Sequence, residues 1–285
     1  MQQFADFCFA AAVLVCWLFD SLTINFLTDM NKYTLSAKGV LHLAIAFGLV
    51  VWSVSQSFAQ DTGSADKKFS MNVGLNSDAF FGFYPTVMGS YKTSEKLNFT
   101  FYGILWSGGT GAAWGNWTEF GVGVGFPVGK SLYINPQIGL LNGSLTSGLG
   151  NRVAGEGVVP NVTISLNNDK LQGEIYAGYY MGLDHGNPRT NNYLHYWANG
   201  GYKISSFFSL GLLFEHLRFA GGKNHPTDAS YDFYMALGPY VQFAQPQGSA
   251  FARFSVGADL RSNEQVIKSD YKQPSYFKLT VGYGF

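Results

Sequence analysis

From Phe69 to the last residue, apolar side chains recur at every second position in short stretches. Phe69, Met71, Val73 and Leu75 alternate with Ser70, Asn72, Gly74 and Asn76. Phe120, Val122, Val124 and Phe126 alternate with Glu119, Gly121, Gly123 and Gly125. At the end of the chain Phe277, Leu279, Val281, Tyr283 and Phe285 alternate with Tyr276, Lys278, Thr280, Gly282 and Gly284. A period of two marks a strand with one apolar face and one polar or small face. Twelve such strands are predicted, at 69–76, 86–92, 97–101, 118–126, 132–140, 158–166, 171–181, 194–202, 208–214, 231–241, 252–260 and 276–285.

The connections carry a second rhythm. Short turns such as Thr93-Ser94-Glu95-Lys96, Pro127-Val128-Gly129-Lys130 and Asn167-Asn168-Asp169-Lys170 are expected between strands 2/3, 4/5, 6/7, 8/9 and 10/11. Longer loops are expected elsewhere, the first being the aromatic stretch 80–84. Alternating short and long connections with an even strand number predict an all-β fold, a single closed antiparallel transmembrane β-barrel of about twelve strands. Closure removes the edges that such apolar strands would otherwise expose. A secreted sandwich ending on an edge strand is the soluble alternative. Pro85, Pro136, Pro160 and Pro239 resist the pattern, because proline cannot donate to a sheet ladder. Pro85 and Pro160 are expected near strand starts, and local bulges are expected to absorb the others.

Upstream, the apolar run 39–54 follows Lys32 and Lys38 and ends at Ser57-Phe58-Ala59 before a polar stretch. This order predicts a signal peptide over 30–59, cleaved between Ala59 and Gln60, with the barrel over 60–285. A permanent anchor is disfavoured, since the run is short for a membrane span. Residues 1–29, apolar and without a basic residue, read as a mis-assigned upstream extension, with a short extra helix as the competing reading.

Composition sharpens the class. Charged residues are only 13% of the chain while aromatics reach 17%, with 35 Gly, which suits aromatic girdles and small inward residues. Net charge is zero and no basic block occurs, which argues against nucleic acid as a partner. Cys8 and Cys16 precede the predicted cleavage point, so no disulfide framework or thiolate metal site is expected in the barrel. No cofactor is implied.

If the apolar parity meets lipid, the other parity lines the lumen. It holds Asp78, Lys92, Glu119, Glu174, His195, Lys203, Glu215, Asp232, Arg253, Asp259, Arg261 and Lys278, with Arg218 joining near the outer end and placed to pair with Glu215. Tyr102, Tyr133, Tyr176, Tyr180, Trp197, Tyr234 and Tyr240 share that face with many glycines. Mixed charges across a narrow lumen would make a polar path; acids paired with bases and tyrosines laid over glycines would fill it. A twelve-stranded barrel leaves room for a small pore, so some passage is expected. Balanced charge argues against strong anion selectivity.

Catalytic signals are weak. No His-x-Ser spacing occurs. Glu174 and His195 on neighbouring strands make half of a base–orienter pair, without a serine beside them. Glu215 and His216 point to opposite faces. Asp184-His185 and His225 with Asp228 fall in loops, where solvation is favoured over metal binding. The four glycosylation sequons, at Asn98, Asn116, Asn142 and Asn161, fall partly inside strands and read as chance.

The chain resembles the porin-like outer-membrane barrels of Gram-negative bacteria, a poorly characterised group. The resemblance is carried by Trp106-Ser-Gly-Gly-Thr-Gly, by Trp114-Gly-Asn-Trp-Thr-Glu-Phe-Gly-Val-Gly-Val and by Asn192-Tyr-Leu-His-Tyr-Trp. The terminal strand is similar to the closing strands of such barrels, which implies that Tyr283 and Phe285 serve as the signal read by the barrel-assembly machinery. The resemblance implies outer-membrane lipid as the environment; small polar solutes as ligands follow from the polar, charged lumen face. The resemblance is compatible with a homo-oligomer without requiring one. Catalytic spacings of barrel phospholipases and proteases are missing. The function expected is therefore passage or binding of small polar solutes, not catalysis, with a filled structural or surface-binding barrel as the runner-up and a membrane-embedded hydrolase last.

Overall fold

The computed structural model describes residues 68–107, 116–147, 153–186, 188–226, 229–246, 250–272 and 275–285. The predicted extension, signal peptide and cleavage point at Ala59 and Gln60 lie outside the described residues.

Twelve antiparallel strands follow in chain order: β1 (Phe69–Asp78), β2 (Gly82–Ser94), β3 (Leu97–Ser107), β4 (Asn116–Val128), β5 (Leu132–Gly143), β6 (Val153–Asn167), β7 (Leu171–Gly182), β8 (Tyr193–Lys203), β9 (Phe208–Phe219), β10 (Tyr231–Ala244), β11 (Ala250–Asp259) and β12 (Ser275–Gly284). Each pairs with its chain neighbours, and β1 pairs with β12 from Asn72↔Gly284 to Asp78↔Lys278, closing the barrel. Beyond the last ladder pair, Phe285 N–H donates to the Met71 carbonyl at 2.8 Å, so the terminal residue is tied down.

The predicted parity holds on most strands. Phe120, Val122, Ile138, Ile175, Leu212, Phe254 and Phe277 stand on the outside, each roughly half exposed. Their neighbours Glu119, Tyr176, Leu213, Ser255 and Tyr276 are buried inside. An apolar belt of this extent around a closed sheet is what hydrocarbon requires and water does not tolerate. Among the described residues no helix is long and apolar enough to cross a membrane; the apolar belt is carried by the strands.

The inward glycines make room for aromatic rings. The Tyr102 ring lies where a Cβ on Gly121 would stand, Tyr133 does the same at Gly125, Tyr176 at Gly178, Tyr240 at Gly201 and Gly211, and Phe251 at Gly282. Rings laid flat against bare backbone gain dispersion contact that a methyl group would forbid.

Three expectations need correction. The β1–β2 connection is not a long loop but the three-residue turn 79–81. Asp78 Oδ1 accepts from the N–H groups of Phe80 (2.9 Å) and Phe81 (2.6 Å), and Gly82 takes a left-handed φ of 72°, which together close a tight hairpin. The prolines lie inside β2, β5, β6 and β10 without register shifts. Instead the ladder to one neighbour skips them, as between Leu237↔Ala258 and Tyr240↔Ser255, and between Val158↔Met181 and Asn161↔Gly178. Because an antiparallel residue directs its N–H to one neighbour only, a missing donor interrupts one ladder and leaves the register intact. Finally, a bulge between Asp232 and Tyr234 reverses the parity of early β10. Tyr231 and Phe233, expected outside, pack with the interior cluster, and Asp232 turns outward.

The β11–β12 loop carries the short helix α1 (Asn263–Ser269), started by a capping box between Ser262 and Gln265.

Candidate functional site

The barrel interior divides into two halves. At the long-loop end the tight Asp78–Gly82 hairpin puts Phe80 and Phe81 inside. Both are buried among Tyr84, Trp106, Trp117, Tyr180, Tyr193, Leu217, Phe233 and Tyr234. Phe81 packs on Trp106 with ring centroids 4.6 Å apart, Phe80 on Tyr234 at 4.9 Å, and Trp106 stacks between Tyr84 (4.7 Å) and Trp117 (5.8 Å). The residual void in this plug is only about 10 Å³, the room of one water molecule. The start of the β5–β6 loop folds in beside it, with Leu145 buried. Glu156, fully buried, fixes that loop by accepting from the N–H groups of Leu145 (2.9 Å), Thr146 (2.8 Å) and Ser147 (3.0 Å).

Below the plug lies a cavity of about 570 Å³ lined toward the short-turn end, where β1 begins and β12 ends, by Ser70, Ser90, Ser165 and Tyr283. Its wall sets amides and hydroxyls, among them Asn72, Asn98, Thr100, Asn135, Gln137 and Asn161, between aromatic and aliphatic side chains such as Phe101, Tyr102, Tyr176 and Phe251. Several bond each other across strands, as Thr100 Oγ1 does with Asn135 Oδ1 (2.8 Å) and Gln137 Nε2 with Thr100 Oγ1 (3.1 Å). Glu174, His195, Arg253 and Lys278 are the titratable non-tyrosine side chains on this wall. The size suits a small ligand, and the wall suits a polar one.

Between plug and cavity sits a buried charge cluster centred on Glu215. Its Oε1 accepts from His195 Nε2 (3.0 Å) and Tyr234 Oη (2.9 Å), its Oε2 from Tyr276 Oη (2.8 Å) and Lys278 Nζ (2.8 Å). Lys278 also lies 5.2 Å from the Trp197 ring and 5.8 Å from that of Tyr84. Glu119, like Glu156 and Glu215, is fully buried, accepting from Tyr102 Oη (2.6 Å) and Trp106 Nε1 (3.1 Å). A carboxylate that satisfies four donors is fixed in one geometry.

The predicted lumenal set is thus sorted. Glu174, His195, Arg253 and Lys278 line the cavity; Asp78, Glu119 and Glu215 hold the plug from within. Lys92 and Lys203 are at the turn rim, Lys92 paired with Glu95 (2.7 Å) and Lys203 bonded to Asn167 Oδ1 (2.6 Å). Asp259 ends β11 at the loop rim, gripped by Arg261, which lies beyond the strand and ties the loop through the Asp232 and Tyr271 carbonyls and Ser269. Asp232 and Arg218 are not lumenal: the bulge at Phe233 turns Asp232 to the outer face, and unbulged β9 keeps Arg218 on the outer parity of Leu212 and His216. There Asp232 meets His216 Nε2 (2.9 Å), which in turn holds Tyr196 Oη through Nδ1 (2.7 Å), and Gln265 of α1 (2.8 Å). Arg218 bonds Ser230 (2.8 Å) rather than Glu215.

His195 does not pair with Glu174. Glu174 accepts from Trp197 Nε1 (3.0 Å), and His195 belongs to Glu215. Glu215 and His216 face opposite sides, as their adjacency requires. Among the described residues no three His, Cys, Asp or Glu side chains form a metal-binding group. In the loops, Asp184 pairs with Lys223 and His225 bonds Asn191 (3.0 Å), joining the β7–β8 and β9–β10 loops.

A family model matches residues 35–285. The chain belongs to a family of unknown function, DUF6733. The match starts within the predicted signal peptide and leaves residues 1–34 outside it. No protein of curated function matches in sequence. Solved structures with a similar chain path include the NanC porin, at 13% identity over 75% of this chain and 98% of that one with a TM-score of 0.45. They also include the KdgM porin, at 14% identity over 76% and 99% with a TM-score of 0.42. OccK5 of Pseudomonas aeruginosa is similar at 9% identity over 77% and 67%, with a TM-score of 0.42. Likeness at this level speaks to neither solute nor chemistry.

What sequence reasoning missed is the plug. Phe80 and Phe81 read as loop residues because tight-turn chemistry depends on Asp78 folding back on the next two amides. Asp78 followed by a small residue, two aromatics and Gly82 was the available signal.

Proposed function

We propose that this chain is an outer-membrane porin-like barrel that admits small polar solutes from the periplasmic side into a blind vestibule, with the aromatic plug holding through-passage shut. The single observation that carries this reading is the division of the lumen, a cavity of about 570 Å³ lined by amides, hydroxyls and a few charged side chains among aromatic rings, ending beneath packed Phe80, Phe81, Trp106 and Trp117. The short turns and both barrel ends share the cavity side, which is the periplasmic side in barrels of this build. In this reading Phe285, whose N–H donates to the Met71 carbonyl at the closing seam, is the terminal residue read by the barrel-assembly machinery.

The barrel strands contain no cysteine, so one introduced thiol reports access. In cells expressing the full-length chain, Thr280→Cys is expected to resist a bulky maleimide added outside and to react once the outer membrane is opened. Purified protein in planar bilayers is expected to be nearly silent, and Phe80→Ala/Phe81→Ala to conduct. Ready labelling from outside, or equal steady conductance of both proteins, would overturn the plug. A thiol at position 280 that never reacts would instead favour a filled barrel acting through its outer loops.

A further inference from the structure

Two opposite charges on the vestibule wall, Arg253 and Glu174, act on each other at a distance without forming an ion pair with any described residue. Arg253 lies across the ladder from Gln242 and from Thr280. Its Nε donates to Gln242 Oε1 at 2.8 Å and its guanidinium stacks 4.8 Å from the Tyr240 ring centroid, while no carboxylate pairs with it. Gln242 is held in turn, its Nε2 donating to Gln172 Oε1 (3.1 Å), and Gln172 Nε2 donates to Tyr240 Oη (3.3 Å). This relay orients the arginine through Nε and leaves its two terminal NH₂ groups facing the cavity. It also reaches over β8 and β9, since Gln172 belongs to β7 and Gln242 to β10.

Glu174 is the next inward residue of β7 after Gln172, about 7 Å along the strand at two residues' rise. One of its oxygens accepts from Trp197 Nε1 (3.0 Å), and Trp197 is stacked on Tyr176 with centroids 4.0 Å apart, so this carboxylate too is fixed. It forms no ion pair with any described residue. Its cross-strand neighbour Asn199 holds a buried Oδ1 without a hydrogen-bond partner. One wall therefore presents spare donors around a cation, Arg253 with Thr280 and Ser255; the other presents spare acceptors around an anion beside an aromatic face.

Opposite charges in one low-dielectric cavity that do not pair are costly unless something else satisfies both. A plain anion would compensate Arg253 and be opposed by Glu174; a plain cation would meet the reverse. We infer that the vestibule binds small zwitterions, molecules carrying a carboxylate and an ammonium, with the carboxylate on Arg253 and the ammonium at Glu174 beside Trp197. This rests on the reading of the cavity as a solute vestibule and names the class of solute.

The test uses four-carbon probes that carry both, one or neither of the two charges: γ-aminobutyrate, butyrate, butylammonium and butyramide. They are titrated calorimetrically into full-length-expressed protein purified in detergent from membranes. γ-Aminobutyrate is expected to bind at least tenfold more tightly than each of the other three. Arg253→Gln should reduce it to the butylammonium level and Glu174→Gln to the butyrate level, with unchanged heat-modifiable migration on gels showing that both variants fold. Equal binding of butyrate with no effect of Glu174→Gln would overturn the inference in favour of an anion site. Preference for butyramide, or no binding of any probe, overturns it as well. Labelling of Thr280→Cys separates the two levels of failure. A reactive thiol with no zwitterion preference removes only the inference, and an unreactive one removes the vestibule itself.

Discussion

Glu215 is the residue on which the interior most depends. Glu215→Gln keeps the shape of the side chain, removes its charge and turns one acceptor into a donor. The Gln carbonyl can still accept from His195 and Tyr234, but its NH₂ then faces Lys278 and Tyr276, both of which donate to the native carboxylate. Lys278, with 14% of its side chain exposed, loses its anion. Removing one partner of a buried pair costs about 3–5 kcal/mol, because the survivor stays buried and unpaired. The Trp197 and Tyr84 faces near the ammonium return a part of this, on the order of 1 kcal/mol. A loss of about 3 kcal/mol is expected for Glu215→Gln. Adding Lys278→Met removes the stranded cation, so the double variant should be less destabilised than the sum of the singles by about 2 kcal/mol. Urea unfolding in detergent micelles, followed by tryptophan fluorescence and by loss of heat-modifiable gel migration, measures all three. Single losses below about 0.5 kcal/mol, or additivity within that margin, would refute the argument that this pair is a coupled buried unit.

Three further outcomes are expected. Gly121→Ala places a methyl group in the Tyr102 ring and should cost about 1–3 kcal/mol, largely relieved in a Tyr102→Leu background; unfolding midpoints of the four proteins decide it. Val122→Arg, on the belt, should cost about 2–4 kcal/mol when refolded into lipid vesicles, whereas Gln137→Arg in the vestibule should cost far less; equal costs would contradict the assigned faces. Lys223 beside Asp184, joined by the Gly186 amide, holds that exposed carboxyl below its ordinary range. A depressed carboxyl stabilises above its unfolded pKa of about 4 and loses that contribution as pH falls through the lower folded value. The β7–β8 and β9–β10 loops should therefore stay joined from neutral pH down to about 4 and loosen below it, read by hydrogen exchange at Gly186. Asp184→Asn should abolish that pH dependence.

Much of the architecture follows from local pattern. The period of two fixes which side chains meet lipid, and the short turns fix which strands pair, so the closed twelve-stranded barrel and the inward tyrosines were readable from the chain alone. The inward placement of Glu174, His195, Glu215, Arg253 and Lys278 follows from the same parity. Parity says nothing about depth or partner. Only closure brings β12 beside β1 and sets Lys278 against Glu215, 63 residues apart in the chain, while leaving Arg253 and Glu174 unpaired. The bulge at Phe233, which moves Asp232 from lumen to outer face, is one inserted residue that no periodicity announces. The plug is likewise a tertiary event: Phe80 and Phe81 are loop residues until Asp78 captures their amides and the surrounding strands supply Trp106, Trp117 and Tyr234. Alternation is a property of neighbouring residues and survives in a string of letters. Whether a lumen is open depends on side chains from several strands meeting at one height, and that height is set by register and shear.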